Sequence, residues 1–364
     1  MGRGKRKIKI VKMKLNKILA LTAVVATLFA GCGKSTEGVG ASNEKTETFV
    51  KVDITKLNCL KTLEGHLDYV YSVCWSPDGK YLASSSHDKT IKIWDSNSGE
   101  RLRTLEGHSY YIESVSWSTD GKYLASGSYK LDEDLYNRLG EERFIEELFI
   151  WDANSGECIR TLDGWMGVVR SVSWSPDGKY LASGSNGGSI TLWDAKSREN
   201  IRTLRGGSGG GSFVSWSTDG KYLASGPGDA TFNLWDVNSG GHLKTFEGHS
   251  DGVESVCWSP DGKYLASGSA DGTVKIWDAK SGECIRTLEG HSFWVNSVCW
   301  SPDGRYLVSG SGDKTIKIWD ANSGECIRTL EGHSKWVTSV SWSPDGKYLA
   351  SGSADHTIKI WGVE

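Results

Sequence analysis

The chain is short of the features that usually announce chemistry. Its 364 residues include eight cysteines but no CxxC pair and no clustered His/Cys spacing, so no zinc site is expected. It also lacks a basic surplus where one would count. Residues 1–31 hold eight Lys or Arg (Arg3, Lys5, Arg6, Lys7, Lys9, Lys12, Lys14 and Lys17) and no acid, which leaves 34 basic against 45 acidic residues, about −11, in the remainder. Phosphate neutralisation by Lys and Arg supplies most nucleic-acid affinity, so DNA and RNA are not expected partners. The uncharged stretch Ile18–Gly31 is fourteen residues long, short of the roughly 20 that a membrane-crossing helix needs. Only 3 Met are present, against 17 Trp and 45 Gly in a chain that is 24% charged. That balance suggests many short strands joined by tight turns, with aromatic plugs on the strands.

The first thirty residues read as an address. A basic segment, an apolar core and small residues at its end are the parts of a signal peptide. Met13 is an alternative start, since MKLNKILALTAVVATLFAGC has more typical proportions. Cys32 follows at once, and Leu28-Phe29-Ala30-Gly31-Cys32 resembles the lipobox of bacterial lipoproteins, with Phe29 where leucine is usual. The resemblance implies a signal peptide over 1–31, lipid on Cys32, and attachment to the extracytoplasmic side of the cell membrane without a spanning helix. An uncleaved anchor and a soluble secreted product are the alternatives. Residues 32–53 then form a tether, polar and without a regular apolar pattern until Phe49 and Val50.

The tryptophans that close the phrase IKIWD or its variants stand at Trp94, Trp151, Trp193, Trp235, Trp277, Trp319 and Trp361. Successive gaps are 57, 42, 42, 42, 42 and 42, so the chain repeats every 42 residues with 15 extra in one copy. Within the copy 242–278, HLKTF leads through the loop EGHSDG to VESVCWS, then through PDGK to YLASGS, and through ADG to TVKIWD. Asp- and Gly-rich turns between runs of Val, Ile, Tyr, Leu and Trp are hairpin punctuation. Four antiparallel strands, repeated seven times, build an all-β propeller.

Gly-His pairs precede five of the copies, at His66, His108, His249, His291 and His333, and Trp-Asp ends every copy except the last, where Gly362 replaces the acid. From about Ile54 to the C-terminus the chain thus resembles the WD-repeat family. The resemblance implies a propeller of seven four-stranded blades over 54–364. The seventh copy stops at its third strand, and LNCLKTLEGH (57–66) matches GECIRTLEGH (282–291). The N-terminal strand should therefore complete the last blade beside Ile358–Trp361, leaving no open edge. The resemblance further implies that His249, Ser267, Asp271 and Trp277 form one hydrogen-bonded set inside a blade. Matching sets are His66, Ser84, Asp88, Trp94; His291, Ser309, Asp313, Trp319; and His333, Ser351, Asp355, Trp361. A catalytic triad is needed once, in a cleft with an oxyanion hole, so a constellation copied four times reads as scaffold.

The cysteines fall into register as well. Cys74, Cys257 and Cys299 precede the tryptophan of one strand, and Cys59, Cys158, Cys284 and Cys326 share a position in the outermost strand. Strands so far apart cannot meet the Cα separation of about 4.4–6.8 Å that a disulfide needs. Most of these thiols are expected to be small buried hydrophobes.

Function should lie where the copies differ on exposed loops. In this family the loop after Gly-His and the loop before the third strand open on one face, called the top. The variable positions there are Tyr69, Tyr71, Tyr110, Tyr111, Met166, Phe293, Trp294 and Trp336, rimmed by Glu113, Arg170, Asp251, Glu254 and Lys335. Aromatics with a charged rim suit a protein-binding patch, although Trp294 and Trp336 could instead stiffen the contact between blades. Two copies have decayed, with Trp165 and Gly187 in the third and Gly207 in the fourth at the histidine and aspartate positions. They should be the softest arc. The insertion, about 130–145, is acid-rich, and Leu131, Leu135, Leu139 and Phe144 suggest a short helix interrupted by Gly140, rising from the top as a docking arm.

The expectation is a monomeric, non-enzymatic scaffold that binds a protein or peptide on its top face, without a cofactor, and touches the membrane only through lipid. Binding of cell-envelope carbohydrate by the aromatic rim is the alternative. A hydrolase in the central channel would need a unique His, Asp or Glu set lining the axis.

Overall fold

The computed structural model describes residues 52–131, 144–185, 189–197, 199–205, 213–226 and 228–364. Its strands form seven four-stranded antiparallel sheets. Each sheet is a meander running from the strand that follows the Gly-His loop to an outermost strand. In blade 1 these are Val70–Trp75, Tyr81–Ser86, Thr90–Asp95 and Arg101–Glu106. Blades 2 to 6 repeat the pattern in chain order, and blade 7 takes its outermost strand from the start of the described chain.

The order of burial follows from the residue types. The VxSVxW run alternates apolar and small polar residues and is buried end to end in blades 1, 5, 6 and 7. It is the innermost strand, packed on its counterpart in each neighbouring blade, and this chain of contacts runs around all seven blades and closes on itself. The outermost strand carries charge on its free face and buries little beyond one residue, as Leu63, Leu105, Leu288 and Leu330 show. The turn after each innermost strand is set by its aspartate. Asp78 accepts from the Ser76 hydroxyl at 2.7 Å and the Lys80 amide at 3.1 Å. Gly79 takes φ +71° there, a left-handed conformation that disfavours any side chain.

Neighbouring blades are also stitched by hydrogen bonds. The Val73, Val298 and Val340 amides donate to the hydroxyls of Ser339, Ser255 and Ser297 at 3.0–3.2 Å. Trp75, Trp216 and Trp258 donate their indole N–H to the carbonyls of Ser341, Ser173 and Ser215. Large apolar plugs and satisfied polar groups thus coincide at these interfaces, whereas the indole N–H groups of Trp117, Trp174, Trp300 and Trp342 are buried without a hydrogen-bond partner among the described residues.

The last sheet closes as the sequence implies. Asn58–Leu63 pairs antiparallel with Ile358–Gly362, with Cys59 opposite Trp361 and Leu63 opposite Ile358. Lys359 donates to Thr62 at 2.8 Å across this seam, as Lys275 does to Thr287 within blade 5.

Two expectations change. Of the seven described cysteines, Cys74, Cys257 and Cys299 are buried and Cys59, Cys158, Cys284 and Cys326 are exposed, because the outermost strand turns that position to solvent. All seven are free thiols, and burial pushes Cys74 and Cys299 up to about 12. The ends of the insertion are strand rather than helix. Tyr123–Leu131 and Phe144–Asp152 pair through Tyr129↔Glu146 to Leu131↔Phe144, which keeps their backbone groups bonded across the hairpin. The rest of the expected helix, 132–143, lies outside the described residues, as do the signal segment and Cys32.

Deleting residues 54–63 should lower the melting temperature sharply. The deletion exposes the strand Ile358–Gly362 and removes Ile54, Leu57 and Leu63, each buried at 5% exposure or less. Losses of about 2–5 kcal/mol per large buried side chain are usual. An unchanged thermal transition by circular dichroism would refute this closure.

Candidate functional site

The His–Ser–Asp–Trp sets are assembled within single blades. In blade 5 the His249 Nδ1 is 2.8 Å from Asp271 Oδ2, and its Nε2 is 2.7 Å from Ser267 Oγ. The Trp277 indole N–H donates to the same Ser267 Oγ at 2.8 Å. Each group finds a partner in one arrangement: indole N–H to serine oxygen, serine O–H to His Nε2, and His Nδ1–H to carboxylate. The same contacts, at 2.7–2.9 Å, join the sets of His66, His291 and His333. Burial depresses His66 and His249, favouring the neutral ring. Burial alone would raise the Asp271 carboxyl, but hydrogen bonds from Thr273, the Ser250 amide and His249 outweigh it and hold it at about 2.

Blade 2 contains a fifth set that the sequence reading missed. Glu147, from the end of the insertion, replaces the aspartate: its Oε2 lies 2.8 Å from His108 Nδ1 and accepts the Ser109 amide at 3.1 Å. Ser126 and Trp151 complete it, and Phe149 stacks on His108 with centroids 4.1 Å apart. The legible signal was His108 itself, which required an acid from somewhere. Among the described residues, blades 3 and 4 show the indole-to-serine bond of the set, Trp193 to Ser183 and Trp235 to Ser225. Next to the seam of blades 4 and 5, Phe232 stacks on Phe246 at 4.4 Å, and both meet Trp277 edge-on.

The expected top-face patch divides in two. An exposed arc crosses blades 6, 7 and 1. Phe293 is 42% exposed and stands 5.3 Å from Trp294 and 5.9 Å from Trp336, centroid to centroid. Lys335 is exposed with its ammonium 5.3 Å above the half-buried Tyr69 ring, and Leu67 is 84% exposed beside it. The Trp294 and Trp336 carbonyls accept the Gly312 and Ala354 amides, which fixes both loops.

The second group corrects the expectation. Tyr71, Glu113, Arg170 and Glu254 are buried, not a solvent-facing rim. With Asn296 and Thr338 they hold the same position in each copy, second in the innermost VxSVxW run, where several blades have a β-bulge. The bulge turns this side chain towards the next blade: Asn296 donates to the Val337 carbonyl at 2.8 Å and Thr338 to the Val70 carbonyl at 2.6 Å. Glu113 meets Arg170 at 3.4 Å. His87, 3.8 Å from Glu113, is sandwiched between Tyr71 and Tyr111 at 4.0 Å on each side. Tyr110 and Tyr111 are half-buried and pack on Tyr129; Asp251 is exposed. The Met166, Trp165, Gly187 and Gly207 side-chain positions lie outside the described residues. Among the described residues no group of three or more His, Cys, Asp or Glu is placed to hold a metal.

Burial pushes the Glu254 carboxyl up to about 8, although Arg170 pulls the other way and Asp251 adds to the rise. It is therefore largely neutral at pH 7.

A ring of seven four-stranded sheets carrying repeated polar plugs defines a β-propeller built from one repeated unit. Seven segments, 57–95, 99–132, 156–194, 198–236, 240–278, 282–320 and 324–362, match the WD domain, G-beta repeat. The chain belongs to this family. It is similar to a subunit of chromatin assembly factor 1 from Gallus gallus, 54% identical over 35 residues, 10% of this chain and 6% of that protein. It is also similar to Protein HIR1 of Cryptococcus neoformans, 32% identical over 135 residues, 36% and 15% of the two chains. With the transport protein sec13 of Emericella nidulans it shares 42% identity over 55 residues, 14% and 15%. The matched stretches thus span only 6% to 15% of these relatives.

Two outcomes follow. Ser309→Ala should destabilise by about 2–4 kcal/mol in urea unfolding, because it strips the buried Trp319 and His291 nitrogens of their shared partner. The folded Glu254 value lies above the ordinary 4.5, so its contribution to stability is full below that pH and is lost as pH rises through about 8. Glu254→Gln should remove that decline. Equal pH slopes between pH 5 and 8.5 in the two proteins would contradict it.

Proposed function

We propose that this WD-repeat protein is a non-enzymatic scaffold, held by lipid on Cys32 at the extracytoplasmic face of the cell membrane, that binds a protein or peptide on its top face. The observation carrying the reading is the arc of Phe293, Trp294, Trp336 and Tyr69 with Lys335. Large aromatic surface left partly exposed, on loops whose backbones are pinned, is the composition of a binding hot spot. The His–Ser–Asp sets do not argue for hydrolysis. Each serine already accepts the indole N–H, and the set recurs in blade after blade. Relatives whose names denote chromatin assembly and protein transport fit work through protein partners.

The start of the described chain supports this reading. Val52 and Ile54 adjoin the turn residues Asp303 and Gly346, on the face opposite the Gly-His loops. A tether leaving there would turn the aromatic arc away from the membrane.

Crosslinking and capture from native membranes should recover a protein that is lost, by about 30-fold or more, with Phe293→Ala and Trp336→Ala. Capture that ignores both changes, or glycan binding that persists in high salt, would overturn the top-face protein reading. Metabolic labelling with an alkyne fatty acid should mark the chain, and Cys32→Ala should abolish the label.

A further inference from the structure

Among the described residues, Lys89, Lys314 and His356 are the only ones other than glycine whose backbone is left-handed, at φ 68°, 74° and 72°. All three hold one position, in the turn between the second and third strands, where blade 5 has Gly272 at φ +80°. Glycine is the default in this conformation, and a side chain there carries a steric cost. Such strain points to function where the side chain has a task that glycine cannot perform. The blades concerned, 6, 7 and 1, are consecutive around the ring, and they are the blades crossed by the exposed aromatic arc.

The turn position brings its side chain to the loop of the next blade. A Cβ on Gly272 would lie 3.5 Å from the Phe293 carbonyl. The His356 ring stands 5.8 Å from Tyr69, centroid to centroid, and the Lys89 ammonium 5.4 Å from the centre of the Tyr110 ring. The same register sets Lys314 beside the loop of Lys335 and Trp336. Aromatic faces and basic side chains therefore alternate along the arc.

The charge of these lysines is not matched. Lys89, Lys314 and Lys335 are exposed, and none has an ion-pair partner among the described residues. On the opposite face the turn lysines are paired: Lys80, Lys179, Lys263 and Lys347 each meet the aspartate two residues earlier at 3.1–3.3 Å. The acids beside the arc are committed to the fold. The Asp88 and Asp313 side chains are 5% and 9% exposed, and they accept from histidine, a loop amide and a threonine hydroxyl. An acidic body thus presents unpaired cations on the one stretch of surface where its aromatics are exposed.

We infer that the partner segment taken by the aromatic arc is acidic. Its leucine or aromatic side chains rest on Phe293, Trp336 and Tyr69, and its carboxylates meet Lys89, Lys314 and Lys335. The inference rests on the reading of the arc as a protein-binding surface and adds the charge of the partner.

The test pans the full chain against random twelve-residue peptides displayed on phage, then measures the enriched sequences as fluorescein-labelled synthetic peptides. Enriched sequences are expected to combine several Asp or Glu with leucine or aromatic residues, and to bind about tenfold more weakly at 300 mM than at 50 mM salt. Lys89→Gly with Lys314→Gly should weaken them about tenfold without lowering the melting temperature, because glycine suits that backbone. A merely structural role would move the melting temperature instead. Acidic sequences indifferent to the lysine pair overturn the inference. Neutral or basic sequences that are lost with Phe293→Ala also overturn it, while leaving the arc a protein site. Sequences that ignore both the lysine pair and Phe293→Ala overturn the inference and the top-face reading together. So does the absence of any enrichment, and binding of phosphatidylglycerol vesicles that the lysine pair controls would then make the arc a lipid surface.

Discussion

A sheet tolerates no unpaired edge in its interior, and a circle of sheets must satisfy that condition at the point where the chain begins and ends. Here Asn58–Leu63 returns to the strand Ile358–Gly362, and much else follows from that one pairing. The repeat written in the sequence, which ends at Trp-Asp, is offset by one strand from the blade seen in space. The incoming chain must cross the cleft between blades 6 and 7 to reach its place. Leu57 stands where blade 5 has Gly282, at the entry to the outermost strand, and it is fully buried. Closure thus does more than seal an edge; it fills one interblade cleft with apolar side chains.

The second constraint is polar. Each blade buries an indole whose N–H must be bonded, and a serine one strand away accepts it. Adding histidine and an acid extends that bond into a chain ending on loop amides, which ties the top loops to the blade core. Blade 2 shows that the constraint acts on geometry and charge, not on residue identity. The hairpin has been lengthened and the aspartate is gone, yet Glu147 reaches His108 from a different backbone position. Blade 4 has Gly207 at the histidine position and still keeps the indole bond of Trp235 to Ser225.

Much of this was legible because it repeats. The period, the turn chemistry, the closing strand and four polar sets are all statements about residues recurring at 42. What misled was treating Tyr71, Glu113, Arg170 and Glu254 as loop positions because they vary. Variation signals exposure only if the position is outside the strand, and these lie inside the VxSVxW run, where the bulge carries them into contact with the next blade. Their register with Asn296 and Thr338 was available in the sequence; the direction of the side chain was not, since a bulge breaks the two-residue alternation from which direction is read. The exposed thiols misled for a related reason. Cys59, Cys158, Cys284 and Cys326 look like core residues by type, but the outermost strand has only one covered face.

The second position of the innermost strands therefore varies within an otherwise repetitive part of the molecule. One arginine, Arg170, lies against Glu113 and within electrostatic reach of Glu254, so this chain places charge of both signs where its other blades place amide and hydroxyl. A buried ion pair rarely adds net stability over apolar packing, so stability alone does not account for it. It does distinguish the blades from one another. Near-identical repeats could pair innermost strands in more than one order with little loss of contact, whereas a cation in blade 3 is best satisfied when blade 2 stands beside it. The same side chains that fail as a binding rim can act to keep seven similar sheets in a single order.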